Sequence, residues 1–187
     1  MKIILASNSP RRRELLMGLG IKFEVKVLPN ISEEYPKNLP TMDIAEYIAC
    51  LKAKAYKESI EENELIITAD TIVVLGNQVL GKPKNENQAK YMLQSISGKK
   101  HKVVTGVCIT TNTLQRHFSV STDVTFKVLK ESEINYYIHK YKPFDKAGAY
   151  GIQEWIGYVG VTSINGSYFN VMGLPVQRLW EELCEII

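Results

Sequence analysis

Residues 65–69 read Leu-Ile-Ile-Thr-Ala, and Asp70 follows at once. A nearly unbroken apolar run of this length fits a strand at the centre of a sheet covered on both faces. Such a strand needs neighbours and covering helices, and the chain supplies them in alternation. Lys2 to Ala6 is a short β-rich run that stops at Ser7-Asn8-Ser9-Pro10. Ser9 as N-cap and Pro10 as first helical residue predict a helix there, with Leu15, Leu16 and Leu19 inward and Gly18 and Gly20 at its end. Phe23 to Val27 alternates like a half-exposed strand. Leu28 to Pro40 carries three prolines and predicts a long loop, a length that hints at function.

The rest of the chain follows the same rhythm. A helix opens at Thr41 or Asp43, with Ile44, Ile48, Leu51 and Ala55 at helical spacing and Lys52 beside that stripe. After Asp70 come a turn at Gly76-Asn77, a short strand at Val79-Leu80 and a break at Gly81-Lys82-Pro83. Asn85 to Ile96 reads as a helix, Lys102–Thr111 and Leu114–Val128 as two long strands, and Glu131 to Tyr141 as a helix. A Gly-containing loop at 145–153, a strand at Tyr158–Ile164, a turn at Asn165-Gly166 and a closing helix at Pro175–Ile187 complete the pattern. The expectation is an α/β fold: a mixed β-sheet with flanking helices. At about 150 residues per domain, 187 residues make one domain spanning 1–187.

Lys plus Arg number 23 and Asp plus Glu 20, a net charge of +3. That balance argues for neither a stable nucleic-acid partner nor an anionic membrane. No apolar run approaches the roughly 18 residues that span a bilayer, and the first apolar stretch is shorter than a signal-peptide core, so a cytoplasmic location is expected. Cys50, Cys108 and Cys184 are odd in number and far apart, which suits neither a disulfide framework nor a CxxC zinc site. They are expected to be reduced and mostly buried. His117 and His139 are expected at the surface, and His101 as a structural histidine.

Several groups of residues could carry chemistry. Ser7, Ser9, Arg11 and Arg12 surround a helix start, where backbone N–H groups and the dipole favour an anion. Cations oppose that dipole, so three consecutive arginines there cost stability unless an anion binds; the alternative is a capped helix whose basic turn faces solvent. Asp70 at the end of a buried strand could bind Mg²⁺ or accept a proton from water, or it could cap the following turn. Lys52 and Lys82 each adjoin apolar sequence, and Glu33 in the long loop could add a second carboxylate or be simply exposed. Gln153 ends a stretch of small residues, and its amide can donate and accept at once, as a base edge requires. The GxxxxGK[ST] and GxGxxG fingerprints are absent.

Taken in order, Leu5-Ala6-Ser7-Asn8-Ser9-Pro10-Arg11-Arg12, Ala69-Asp70-Thr71, Leu80-Gly81-Lys82-Pro83, Val103-Val104-Thr105-Gly106-Val107, the 145–153 segment, Gly166-Ser167-Tyr168 and Gly173-Leu174-Pro175 resemble the Maf family of nucleotide pyrophosphatases, also called septum-formation inhibitors. The resemblance runs over almost the whole chain. It implies two lobes around a central cleft, usually in a homodimer. It implies hydrolysis of nucleoside triphosphates to monophosphate and pyrophosphate with a divalent cation, Mg²⁺ or Mn²⁺, in a house-cleaning role linked to division arrest. It makes Asp70 the proton acceptor and, with Glu33, the metal ligand, and makes Ser9, Arg12, Lys52 and Lys82 substrate-binding. Arg11, Thr71 and Gln153 fall where branches of the family differ, and this set resembles the dTTP- and UTP-cleaving branch. Ser32 stands where an acidic residue often precedes Glu33. The competing readings are the same reaction with another base, such as 7-methyl-GTP, and a non-catalytic nucleic-acid-binding division regulator using Arg11-Arg12-Arg13.

Overall fold

The computed structural model describes all of residues 1–187. β1 (Lys2–Leu5) leads into α1 (Pro10–Met17), β2 (Phe23–Val25), α2 (Ile44–Tyr56), β3 (Glu64–Leu75), β4 (Gln78–Leu80) and α3 (Glu86–Ile96). β5 (Lys100–Thr110), β6 (Gln115–Phe126), α4 (Glu131–Tyr141), α5 (Trp155–Gly160), β7 (Val161–Asn165), α6 (Tyr168–Met172) and α7 (Val176–Cys184) follow. Seven strands form a mixed sheet in the order β2-β1-β3-β5-β6-β7, with β4 paired to β3 off that path. β1 runs parallel to both β2 and β3, while β4 is antiparallel to β3 and β7 to β6. This is the mixed α/β architecture that the alternation predicts.

The chain divides into two compact units, residues 1–71, 105–120 and 173–187 in the first and 72–104 and 121–172 in the second. In the first, β1 and β3 pair with Ile4 opposite Ile66, and Ile3, Ile4, Leu5, Leu65, Ile66 and Ile67 are all buried. α2 lies so close to β5 that a Cβ on Gly106 would sit 2.2–2.3 Å from the Ala45–Glu46 backbone. Only a glycine on the strand and small residues on the helix permit that approach. The buried face of α2 is accordingly Ile44, Ala45, Ile48, Ala49, Ala53 and Tyr56. Ala55, expected inward, is exposed: the small-residue face wins over the largest apolar stripe.

The second unit has its own core of Val73, Leu80, Leu93, Ile96, Val103, Phe126, Ile134, Tyr137, Ile138, Ile152 and Ile156 among others. α3 begins where Asn85 accepts the Gln88 N–H and ends at Ile96, as its pattern predicts. Three expectations need correction. β3 does not end before Asp70; it continues to Leu75, because Ile72-Val73-Val74 is apolar enough to stay in the sheet and pairs back with β4 across Gly76. Residues 155–160 are helical, so the last strand begins only at Val161. Ile156 and Gly160, four residues apart, bury one helical face there, and Gly160 fits against Phe126. α6 was not expected at all: its inward residue is polar, Asn170, whose amide donates to the Val103 carbonyl and to Thr122 Oγ1. Of the cysteines, Cys108 is buried, Cys50 half-buried and Cys184 exposed, so the last departs from expectation.

His117 and His139 are exposed, as expected. His101 is buried between Phe126 and Tyr150, with Nε2 2.8 Å from the Tyr150 hydroxyl. Burial lowers its pKa from 6.5 to about 4, against a smaller upward pull from Asp123. A folded-state pKa below the unfolded one means that, as pH falls through that window, the unfolded chain takes up a proton the folded chain refuses. Unfolding free energy should therefore drop by about 3 kcal/mol between pH 6.5 and 4 on account of this residue. Urea unfolding over that pH range should show a shallower acid slope in His101→Gln than in the wild type; equal slopes would remove His101 as the cause.

Candidate active site

Thr68 explains how a helix lysine comes to meet a strand carboxylate. Its hydroxyl donates to the Ala49 carbonyl on α2 at 2.7 Å and lies 3.3 Å from the Cys108 carbonyl on β5. On a strand, residues 68 and 70 share a face; on a helix, residues 49 and 52 lie on neighbouring turns of one side. Fastening Thr68 to Ala49 therefore brings Lys52 to Asp70. Lys52 Nζ donates to Asp70 Oδ1 at 2.7 Å and lies 2.8 Å from Glu33 Oε1. The side chains of Asp70 and Lys52 are 10% and 15% exposed, that of Glu33 47%.

Glu33 reaches this place from a loop without regular structure. Its chain is anchored upstream, where Leu28 and Ile31 pack on the Ile4, Ala6, Tyr56 and Ile66 cluster. The Tyr56 hydroxyl accepts the Leu28 N–H at 2.9 Å and donates to the Lys26 carbonyl at 3.1 Å. An open groove of about 480 Å³ runs between this loop and the Leu51–Ala55 side of α2. Its lining is mainly Leu28, Pro29, Ile31, Leu51 and Ala55, with Lys54 as its cation, so it is poorly suited to a polyanion.

A second cluster surrounds the start of α1. Ser9 caps the helix by accepting the Arg12 N–H at 3.4 Å, Pro10 is the first helical residue, and Ser7 Oγ accepts the Ser9 N–H at 3.2 Å. The Arg12 guanidinium donates to the Gly173 carbonyl at 2.8 Å, to Thr71 Oγ1 at 3.0 Å and to Ser7 Oγ at 3.4 Å. Thr71 Oγ1 in turn lies 2.9 Å from Thr105 Oγ1. Gly173 sits at φ +119°, a conformation natural to glycine, and presents its carbonyl to Arg12. Burial lowers the Arg12 pKa, Asp70 pulls it back up, and the neighbouring charge of Arg11 lowers it. An arginine stays charged through such shifts.

The structure thus gathers Asp70, Lys52 and Glu33 in one cluster, and Ser9, Arg12 and Thr71 in another; Asp70 and Thr71 are neighbours in the chain. Arg11 is half-buried in the first turn of α1. Lys82 is exposed after β4, and Gln153 half-buried, both in the second unit. The Gln153 Oε1 is buried and has no hydrogen-bond partner. Ser7, expected among the groups at the helix start, lies there beside Arg12, whereas Thr68, Thr105 and the Gly173 carbonyl are supporting groups that sequence reasoning left out of the site. Thr68 left a signal, as the one polar residue in an apolar run and two positions before Asp70.

Two carboxylates reach one cation, and no group of three or more His, Cys, Asp or Glu side chains converges anywhere. Mg²⁺ is usually held by one or two carboxylates together with substrate phosphates rather than by an all-protein cage. Asp70 and Glu33 fit an ion of that kind. No helix is long and apolar enough to cross a membrane.

Residues 2–186 match the model of the Maf family, described as Maf-like protein. A dTTP/UTP pyrophosphatase of Phocaeicola vulgatus is 64% identical over 182 residues, 97% of this chain and 94% of that one. A dTTP/UTP pyrophosphatase of Bacteroides thetaiotaomicron is 57% identical over the same shares. Among solved structures, a HAM1 protein from Coxiella burnetii superposes with a TM-score of 0.52 over 99% of both chains at 13% identity, a likeness of fold.

The burial figures decide which half of the carboxylate pair matters to stability. Lys52→Met leaves the Asp70 carboxylate unpaired and mostly buried, and should cost about 3 kcal/mol. Glu33→Gln removes a half-exposed partner and should cost less than about 1 kcal/mol. In denaturant unfolding, Lys52→Met combined with Asp70→Asn should recover part of the first loss; strict additivity would mean that the two side chains are not coupled.

Proposed function

The chain belongs to the Maf family, and from that membership we propose that it is a nucleoside triphosphate pyrophosphatase that cleaves dTTP and UTP between the α- and β-phosphates, leaving the monophosphate and pyrophosphate. The names carried by its relatives support this substrate choice. The observation that carries the chemistry is the buried Asp70 carboxylate, held 2.7 Å from the Lys52 ammonium, with Glu33 on the same ammonium. Residues 1–187 are read as one functional domain, acting in the cytoplasm as a homodimer without stable nucleic-acid or membrane partners.

A triphosphate brings about four negative charges, and its hydrolysis needs positioning and charge stabilisation more than covalent help. Asp70 orients the attacking water and accepts its proton. Lys52 keeps that carboxylate aimed through their 2.7 Å hydrogen bond, and offers its charge to the phosphates. Arg12 uses three N–H groups on Gly173, Thr71 and Ser7, and an arginine has five, so donors remain for a phosphate oxygen. The α1 N-terminus capped by Ser9 adds partial positive charge. The family resemblance assigns Lys82 to the phosphates as well. Asp70 and Glu33 would hold Mg²⁺ or Mn²⁺, which when bound supplies positive charge against the phosphate oxygens.

Base recognition is assigned to Gln153. A buried acceptor without a donor costs about 1–3 kcal/mol, which a ligand N–H relieves. Uracil and thymine carry an imide N–H at ring position 3; cytosine has an acceptor there. The buried, unpartnered Oε1 supports the first two over the third. Thr71, expected to read the base, has its hydroxyl engaged by Arg12 and Thr105, so its contribution is assigned to holding Arg12.

Asp70→Asn should fold normally and lose turnover by about a hundredfold or more, read as pyrophosphate release from UTP with Mg²⁺; near-wild-type release would take the base role from Asp70. Gln153→Glu should keep hydrolysis while changing the relative rates on UTP, dTTP, CTP and GTP. An unchanged ranking would mean that Gln153 does not read the base.

A further inference from the structure

Gln153 lies in a tight turn closed by the Glu154 N–H donating to the Gly151 carbonyl at 3.0 Å. Both ends of that turn are tied to one buried side chain. The Gly151 N–H donates to the Tyr137 hydroxyl at 3.0 Å, and the same hydroxyl donates to Glu154 Oε2. Glu154 Oε1 lies 3.1 Å from Lys146 Nζ, which also donates to Asp145 Oδ1 at 2.8 Å. Tyr137 is fully buried and Lys146 is 8% exposed. Burial raises the Tyr137 pKa, and Glu154 adds to the rise, so the phenol keeps the proton it donates.

The packing over this turn is close. A Cβ on Gly151 would stand 3.0 Å from Glu154 Cδ, 3.1 Å from its Oε2 and 3.1 Å from Lys146 Cε. A side chain on residue 151 would push the ion pair aside by a few tenths of an ångström. Desolvating a lysine and a carboxylate costs several kcal/mol each, roughly what their attraction returns, so stability alone is a poor reason to build such a network. What it does secure is the backbone on either side of Gln153, whose Oε1 is held buried and unpartnered.

We infer that Tyr137, Glu154 and Lys146 are positioning residues that hold the 151–154 turn so that Gln153 presents its acceptor to the imide N–H of a uracil or thymine base. The inference rests on the assignment of Gln153 as base reader. A reading acceptor discriminates only if it cannot swing away to find another donor, and the Tyr137–Glu154 bond removes that freedom from the turn.

The test compares full-length wild type, Tyr137→Phe and Glu154→Gln in steady-state hydrolysis of UTP and CTP, with inhibition by tripolyphosphate as a probe of phosphate binding without a base. Tyr137→Phe should raise the KM for UTP about tenfold with kcat within about twofold, the loss of one buried hydrogen bond expressed in ground-state binding. The UTP-over-CTP preference in kcat/KM should fall by a similar factor, and tripolyphosphate inhibition should not move. Glu154→Gln, which still accepts from Tyr137 but gives Lys146 no charge, should fall between the two. An unchanged UTP-over-CTP ratio in a folded variant overturns the inference. So does a parallel shift in UTP KM and tripolyphosphate inhibition, which would mark general structural damage. Should Tyr137→Phe not fold, Glu154→Gln decides alone. A wild type without preference for UTP over CTP refutes the Gln153 assignment itself, and the positioning role with it, before any variant is compared.

Discussion

The contact between Lys52 and Asp70 is the constraint to which much of the first unit answers. For a helix lysine to touch a carboxylate in the middle of a buried strand, the helix must lie unusually close to the sheet. Ala45, Ala49 and Ala53 on α2 and Gly106 on β5 make that closeness possible, and the Thr68 hydroxyl fixes the register by bonding to the Ala49 carbonyl. The pair is mostly removed from water, where the cost of desolvation roughly cancels the attraction. Its stabilising value is therefore small, and its chemical value large: a mostly buried carboxylate with a cation built in beside it. Glu33, arriving on a loop without regular structure and half-exposed, is better placed to exchange partners than Asp70.

Arg12 solves the opposite problem. A cation in the first turn of a helix works against the helix dipole. Here the guanidinium turns to the nearby Ser7 hydroxyl and to the Gly173 carbonyl and Thr71 hydroxyl, two acceptors brought from far along the chain. Thr105 completes the arrangement by pairing with Thr71. These neutral acceptors fix the position of the charge without cancelling it, and so leave it available to an anion. A carboxylate in the same place would have quenched it.

Local signals were legible where local physics decides. Ser9-Pro10 at the start of α1, Gly18 at its end, Asn85 before α3 and the β5–β6 pair all follow from capping and periodicity. The misreadings share one cause, tertiary contact overriding pattern. The strand expected at Tyr158–Ile164 loses its first three residues to a helix, because Gly157 and Gly160 let a short helix settle where a side chain would collide with the Ile152 carbonyl or with Phe126. α6 is held by the Asn170 amide rather than by an apolar stripe, so periodicity was silent. Asp70 appeared to end a strand because the residue is polar; it lies inside one because its charge is matched by a lysine 18 residues upstream. For the site, Lys52 alone looked like any solvated lysine. Its meaning depends on Thr68 and Gly106, which no spacing rule connects to it.

Two buried polar side chains in the second unit show how the same local deficit can mean different things. His101 has one ring nitrogen, Nδ1, without a partner, but Nε2 meets the Tyr150 hydroxyl and the ring is enclosed by Phe126 and Tyr150. Burial keeps that ring neutral. Gln153 is different, because its turn is braced on both sides by Tyr137 and Glu154 while its acceptor is not. Rigid backbone around an unsatisfied acceptor is costly for a fold and useful for recognition. A ligand bearing an N–H removes the deficit, and one bearing an acceptor deepens it. The difference, about 1–3 kcal/mol, corresponds to roughly 5- to 150-fold between bases with and without a hydrogen on ring position 3. Phosphate binding cannot supply such discrimination, since every nucleoside triphosphate presents the same chain of phosphates. Selectivity must come from the base, and of the two demands it is the one that requires a side chain held still.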